Sequence, residues 1–293
     1  TVKARNTANN NDTLTVKGSD IETLNLVVEE AQDTAANKTT FTIANFEATQ
    51  VNVSEDTVNS VETAEVDLGA VASTVTKVDA TGLDGGAITD SGDNSDGVTF
   101  EVNGNAASDL TGGAGADTFN VAKDGAVTGV ATIVGGGGAD TINIGETGNV
   151  THDVTGGSGT DTVNIDITAA FDDAGSLKVE NVNLDVKAGD DVDLTSGSSP
   201  ATFATAARDI TLKGGDSTST FTSGTLVTEI TSFDASEFSG NVVLDLAKNA
   251  ADSTVTLTGS DSNADELNYQ IDAAGTDALQ SSGIETLDLN IDN

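Results

Sequence analysis

The chain has no cysteine, methionine or tryptophan, a single tyrosine (Tyr269), a single proline (Pro200) and a single histidine (His152). Without cysteine it carries neither disulfides nor thiolate metal sites. Large extracellular bacterial proteins do without disulfides too, so this lack does not assign the chain to the cytosol. Basic residues number 11 against 48 acidic ones, a formal charge of -37 at pH 7. A field of that sign repels phosphate backbones and anionic head groups, which excludes nucleic acid and anionic lipid as partners. No run of 18 apolar residues exists, so no membrane insertion is expected. No charged segment followed by an apolar one opens the chain, and position 1 is not Met. A processed piece is expected, exported by a signal outside it. Aromatics make up 3%, so large rings cannot dominate a core, and the near absence of proline leaves strands uninterrupted.

What is present is Val, Ile, Leu, Ala and Thr, with 32 glycines. Branched side chains pack well on a pleated surface. Apolar residues recur with period two in Leu14-Thr15-Val16, Phe41-Thr42-Ile43, Val51-Asn52-Val53, Val182-Asn183-Leu184-Asp185-Val186 and Val243-Leu244-Asp245-Leu246. Each such segment reads as a short strand with one covered face, and the Gly, Asn, Asp and Ser clusters between them read as turns. Short helices are expected at Ala201–Asp209 and Asp272–Ser281, and Val27–Asn37 is ambiguous.

Repetition occurs at two scales. Ile21-Glu22-Thr23-Leu24-Asn25-Leu26 returns as Val179-Glu180-Asn181-Val182-Asn183-Leu184 and as Ile284-Glu285-Thr286-Leu287-Asp288-Leu289, with Val61-Glu62-Thr63 a shorter copy. Val78-Asp79-Ala80-Thr81 is echoed by Phe233-Asp234-Ala235-Ser236. The chain therefore reads as two diverged copies of one long unit, with residues 284–293 starting a third, as in a fragment of a longer array.

The short repeat carries chemistry. Gly112-Gly113-Ala114-Gly115-Ala116-Asp117-Thr118-Phe119, Gly135-Gly136-Gly137-Gly138-Ala139-Asp140-Thr141-Ile142 and Gly156-Gly157-Ser158-Gly159-Thr160-Asp161-Thr162-Val163 all fit G-G-x-G-x-D-x-U. Calcium takes about 6–8 hard oxygen ligands. Glycines allow left-handed turns that aim carbonyls inward, the aspartate adds charge, and the apolar residue two positions later enters the core. One turn offers too few oxygens, so stacked turns must share each ion. The acid excess as a whole is also compatible with solubility in salty media; only this local spacing points to a cation.

The motifs start 23 and 21 residues apart, wider than the about 18 residues of ideal tandem nonapeptides. The midway segments 123–129 and 145–153 lack the motif, so calcium is expected on one edge of a coil with enlarged turns. Ser91-Gly92-Asp93-Asn94-Ser95-Asp96-Gly97-Val98, 21 residues upstream of the first motif, is a degenerate copy expected in the same register, adding Asp93 and Asp96 to the candidate ligands. Weaker echoes are Asn10–Leu14, Thr258–Asp265 and Lys213–Asp216, each with a solvated polar turn as the alternative.

These three motifs resemble the RTX calcium-binding nonapeptides of type I-secreted bacterial proteins. Together with "IETLNL", "DASEFSGNVVLDL" and "LTGGAGADTF", the chain is similar to RTX-bearing surface-layer proteins of Gram-negative bacteria. The resemblance covers residues 91–165 most directly. It implies calcium-dependent folding after secretion and calcium-dependent assembly over the cell. The chain departs from the family in lacking midway motifs and a recognisable C-terminal secretion signal.

The expected fold is all-β, a right-handed parallel β-roll or β-helix-like solenoid with calcium-binding turns and few short helices. Three segments are expected: a β-rich repeat segment at 1–90, the calcium-binding roll at 91–165, and a second β-rich repeat segment at 166–293. No enzyme is expected. His152, beside Asp153, reads as a solvated turn residue rather than a catalytic one. Arg5, Arg208 and the scattered lysines form no basic cluster for anionic sugars, no carboxylate pair stands out, and aromatic platforms for sugars are missing. Phe100 and Phe119 read as core. The expected role is a calcium-binding structural protein of the bacterial cell surface, extracellular, self-assembling through calcium bridges between copies, with cell-surface polysaccharide engaged through parts outside this chain. The alternative is a repeat segment of an RTX adhesin or of another large type I-secreted protein.

Overall fold

A segment that alternates Val, Ile or Leu with Thr, Asn or Asp has one face to cover and one that stays wet. Here the chain covers that face by coiling on itself. The computed structural model describes residues 2–6, 13–18, 21–30, 38–46, 48–55, 65–71, 75–83, 98–102, 108–121, 131–146, 152–169, 176–194, 209–226, 230–246, 254–272 and 278–292. These residues form a parallel β-solenoid. The chain divides into two compact units, Thr1–Ile144 with Thr155–Asp161, and Gly145–Val154 with Thr162–Asn293.

In the first unit the strands stack in two columns. One runs Val2–Asn6, Thr23–Glu30, Gln50–Glu55, Lys77–Gly82, Ser108–Thr111, Ala131–Gly137; the other runs Thr13–Gly18, Lys38–Phe46, Glu65–Val71, Val98–Val102, Thr118–Val121, Thr141–Glu146. In the second unit one column runs Thr162–Ile167, Asn181–Val186, Asp209–Gly214, Ser232–Phe238, Thr254–Thr258, Ala278–Ser282, and the other Val192–Asp193, Thr220–Leu226, Asn241–Leu246, Glu266–Asp272, Thr286–Asp292. Pairings within each column are parallel. One turn takes 19 residues from Thr99 to Thr118 and 32 from Val66 to Val98. The ladder that spans the longer turn also shifts register, between Asp67 and Gly69.

Register stacks like on like. Phe119 stands opposite Ile142 and Val121 opposite Ile144, all buried. In the second unit Val182, Ile210 and Phe233 follow one another in register, and Phe233 meets Phe221 of the other column at a ring-centroid distance of 5.5 Å and 40°. Such tilted pairs are favoured by the ring quadrupoles. Each fully buried side chain of this kind contributes about 1.5–3 kcal/mol, so a thin interior is held by many small increments. On the half-buried face the asparagines form ladders: Asn52 donates to Asn25 at 2.7 Å, Asn143 to Asn120 at 2.8 Å and Asn183 to Asn164 at 2.7 Å.

The long repeats all lead into strands, but in three different sheets. Thr23, Asn181 and Thr286, the third residue of each six-residue copy, each open a strand. Leu24, Leu26, Val182 and Leu184 are buried. Leu287 and Leu289 are 45% and 46% exposed, in the last strand of their column. In the echoed tetrapeptide Asp79 accepts the N–H of Thr81 and Asp234 that of Ser236. The short copy at 61–63 lies outside the described residues.

Among the described residues there is no helix. Asp272 instead ends a strand and Ala278–Ser282 is another, paired with Thr254–Thr258. Asp209 opens a strand and Val27–Glu30 belongs to one; residues 201–208 and 31–37 lie outside the described residues. Weak local helix preference yields to the ladder that Ala278–Ser282 forms with Thr254–Thr258. A second correction concerns register. Thr118 pairs with Thr99 and Phe119 with Phe100, an offset of 19 rather than the expected 21, so Val98 stands in line with Asp117. Asp93 and Asp96 lie outside the described residues.

Candidate metal centre

Each full motif joins a strand of one column to a strand of the other. Ser108–Thr111 runs into Gly112, and Thr118–Val121 follows Asp117; Ala131–Gly137 and Asp153–Ser158 run into the next two motifs and carry their first glycines. The three turns stack position upon position. A Cβ on Gly112 would overlap Asp117 Oδ2 and the Gly135 carbonyl oxygen. One on Gly135 would overlap Asp140 Oδ2 and lie 2.5 Å from the Gly156 carbonyl oxygen, and one on Gly156 would overlap Asp161 Oδ2. The first glycine of each motif is thus a gap into which a carboxylate oxygen converges, joined at Gly112 and Gly135 by a carbonyl of the next turn.

The other positions stack likewise. A Cβ on Gly136 would run into Gly113 O, one on Gly157 into Gly136 O, and one on Gly159 into Gly138 O; one on Gly138 would lie 2.5 Å from Gly115 O. A Cβ on Gly137 would sit 3.1 Å from Ala114 O and 3.4 Å from Ser158 Oγ. In the second and third motifs the glycines at the second and fourth positions have positive φ, 115° and 91° at Gly136 and Gly138, 119° and 130° at Gly157 and Gly159. Side chains rarely adopt these angles.

The aspartates tie the turns together. Asp117 N–H donates to Asp140 Oδ1 at 2.8 Å, Asp140 N–H donates to Asp161 Oδ1 at 3.0 Å, and Gly113 N–H donates to Asp117 Oδ2 at 2.7 Å. All three aspartates are buried. Asp140 Oδ2 accepts no hydrogen bond among the described residues. Burial pushes the Asp140 carboxyl up to about 7; the backbone N–H of Asp117 opposes this, and the like charges of Asp117 and Asp161 add to it. A buried carboxylate oxygen without a donor is costly, and a cation at that oxygen would offset the cost.

Among the described residues no three His, Asp or Glu side chains cluster as a metal-holding group. Any ion here would rely on backbone carbonyls for most of its ligands, with one carboxylate per turn. Hard oxygens of both kinds suit calcium and offer nothing to soft metals. The residues present therefore fit the ion that the motif implies.

Other expected sites resolve differently. Lys213–Asp216 is a polar turn: Asp216 accepts the N–H of Thr218 at 2.8 Å and its hydroxyl at 2.6 Å, which hold its carboxyl below the ordinary value. Asn10–Asp12 lie outside the described residues. His152, expected in solvent, is buried. The alternation of the strand that follows extends back through Val154 to His152, which takes an inward position. Sequence reading missed the asparagine three places after each motif aspartate, Asn120, Asn143 and Asn164, although its recurrence was visible. In the weaker echo Thr258–Asp265, Asp265 is buried and accepts the N–H groups of Ser260 and Val242.

No family model matches the chain, and no curated protein or solved structure matches it.

Proposed function

We propose that this chain is a calcium-binding structural protein of the bacterial cell surface, without catalytic activity, whose copies assemble into a surface layer through calcium held between their carboxylates. The observation that carries the reading is the stack of three glycine gaps, at Gly112, Gly135 and Gly156, each holding an oxygen of a buried aspartate. Three buried carboxylates in one column repel one another and lose hydration; divalent ions held between turns, mostly by the neighbouring carbonyls, offset both costs.

The assembly part of the proposal rests on charge. Even three internal divalent ions, the most that a fourth turn would allow, would reduce the formal charge from -37 only to about -31, and surfaces so charged repel over a Debye length of about 10 Å at 0.1 M salt. Monovalent salt screens this repulsion but creates no specific contact. Divalent ions shared between facing carboxylates do both. Sedimentation at fixed ionic strength, with calcium against sodium, tests the reading: calcium should first fold the monomer and then drive ordered assembly. A folded protein that stays monomeric through about ten millimolar calcium, above the 10⁻⁴–10⁻³ M constants of extracellular modules, would remove the layer and favour the adhesin-segment alternative.

A further inference from the structure

The turn Gly259–Asp265 reproduces the motif turn's hydrogen bonds at three points. Val242 N–H donates to Asp265 Oδ1 at 2.9 Å, as Asp117 N–H does to Asp140. Ser260 N–H donates to Asp265 Oδ2 at 2.6 Å, as Gly113 N–H does to Asp117. Asp265 N–H donates to Glu285 Oε2 at 2.9 Å, as Asp140 N–H does to Asp161. The first-glycine gap is present too: a Cβ on Gly259 would overlap the Gly283 carbonyl oxygen and approach Asp265 Oδ2 to 2.8 Å.

The second position differs. The motif's second glycine is replaced by Ser260, whose Oγ lies 2.7 Å from the Gly240 carbonyl oxygen and 3.0 and 2.9 Å from the two oxygens of Asp265. Ser262 N–H donates to the same Oγ at 3.0 Å. The single O–H of the serine is thus placed to donate either to a carbonyl of the preceding turn or to the buried carboxylate, the two kinds of oxygen that an ion joins in a motif turn. Both oxygens of Asp265 have donors, unlike Oδ2 of Asp140. In the preceding turns of this unit the glycine gaps face a ring or a serine hydroxyl rather than a buried carboxylate. A Cβ on Gly215 would reach within 2.5 Å of the Phe238 ring and one on Gly240 within 2.8 Å, and buried Ser219 accepts the N–H groups of Gly189 and Asp216.

We propose that Ser260 takes the place of the cation in the Gly259–Asp265 turn, so that the second unit folds without metal while the first requires it. The contrast rests on the calcium reading of the first unit; the role of Ser260 does not. A calcium-independent unit would stay folded at low calcium beside a calcium-gated one, which makes folding of the chain stepwise rather than all-or-none.

Hydrogen–deuterium exchange of the full chain, read by peptide mass spectrometry in calcium and in chelator, tests this. Peptides over 241–246 and 259–272 should exchange alike in both conditions, whereas 112–121 and 131–146 lose protection in chelator. Ser260→Ala, which keeps the backbone N–H and removes only the hydroxyl, should speed exchange over 259–272 by roughly tenfold in both conditions, since hydrogen bonds to charged groups hold local openings closed by about that factor or more. Loss of protection of 259–272 in chelator overturns the proposal and leaves the calcium reading intact. Unchanged exchange in Ser260→Ala overturns it as well. If 112–146 ignores chelator, the calcium reading falls, and the Ser260→Ala result alone decides the role of the hydroxyl.

Discussion

The backbone N–H of Asp117 donates to Oδ1 of Asp140, 23 residues further along the chain, at 2.8 Å. One carboxylate oxygen therefore ties two turns of the coil, while the other, Oδ2, faces the gap at Gly135 with no donor among the described residues. The same side chain is a structural strut on one side and an unsatisfied charge on the other.

The pH dependence follows from that charge. The ordinary Asp carboxyl titrates near 3.8 and the folded Asp140 near 7. Between those values the folded state binds the extra proton, so stability falls as pH rises through the window and levels off above it. A difference of this size is on the order of 4 kcal/mol. Calcium-free protein should melt at higher temperature at pH 4.5 than at pH 7.5. In calcium the order should reverse, because the ion competes with the proton for the same oxygen. Scanning calorimetry at both pH values with and without chelator would show it; melting independent of pH in chelator counts against a buried ionised Asp140.

Asp140→Asn keeps an acceptor for the Asp117 N–H and removes the charge. In chelator at pH 7.5 the variant should melt above the parent; in calcium it should melt below it. Titration calorimetry adds a comparison: Asp140→Ala should lower calcium stoichiometry by more than Asp161→Ala, because Asp140 lies between two full motifs. Equal losses would argue against a single stack of shared sites.

Gly135→Ala places a methyl group where Asp140 Oδ2 and the Gly156 carbonyl now converge. Overpacking of this kind costs about 1–3 kcal/mol, and the displaced oxygens no longer line the gap. The variant should show a much smaller rise in melting temperature on adding calcium than the parent. An unaltered calcium response would mean that the gap is not where the ion sits.

Asn183→Ala removes the 2.7 Å bond to Asn164 on the half-buried face. The expected cost is about 1 kcal/mol, a fall of about 2–4 °C in melting temperature for a unit of this size, equal in calcium and in chelator. A calcium-dependent effect would link the ladder to the metal turns, which the hydrogen bonding does not suggest.

Much of the architecture was legible beforehand. Alternation of Val, Ile and Leu with Thr and Asn fixes which side chain faces inward, because the period of a strand is two. The G-G-x-G-x-D spacing marks where the backbone must do what side chains forbid. Those properties are local, and a sequence states them directly. Register is not local. That Phe119 pairs with Phe100, and not with Val98, depends on how many residues the connecting segment loops out, and composition does not constrain that number. The burial of His152 was decided by continuation of a strand's alternation through one more residue than its apolar pattern showed. The part played by Ser260 required Gly240 and Val242 of one turn to be brought against Ser260 and Asp265 of the next. Only the stacked coil does that, since the hydroxyl's partners are separated in sequence by about one turn and in space by a hydrogen bond.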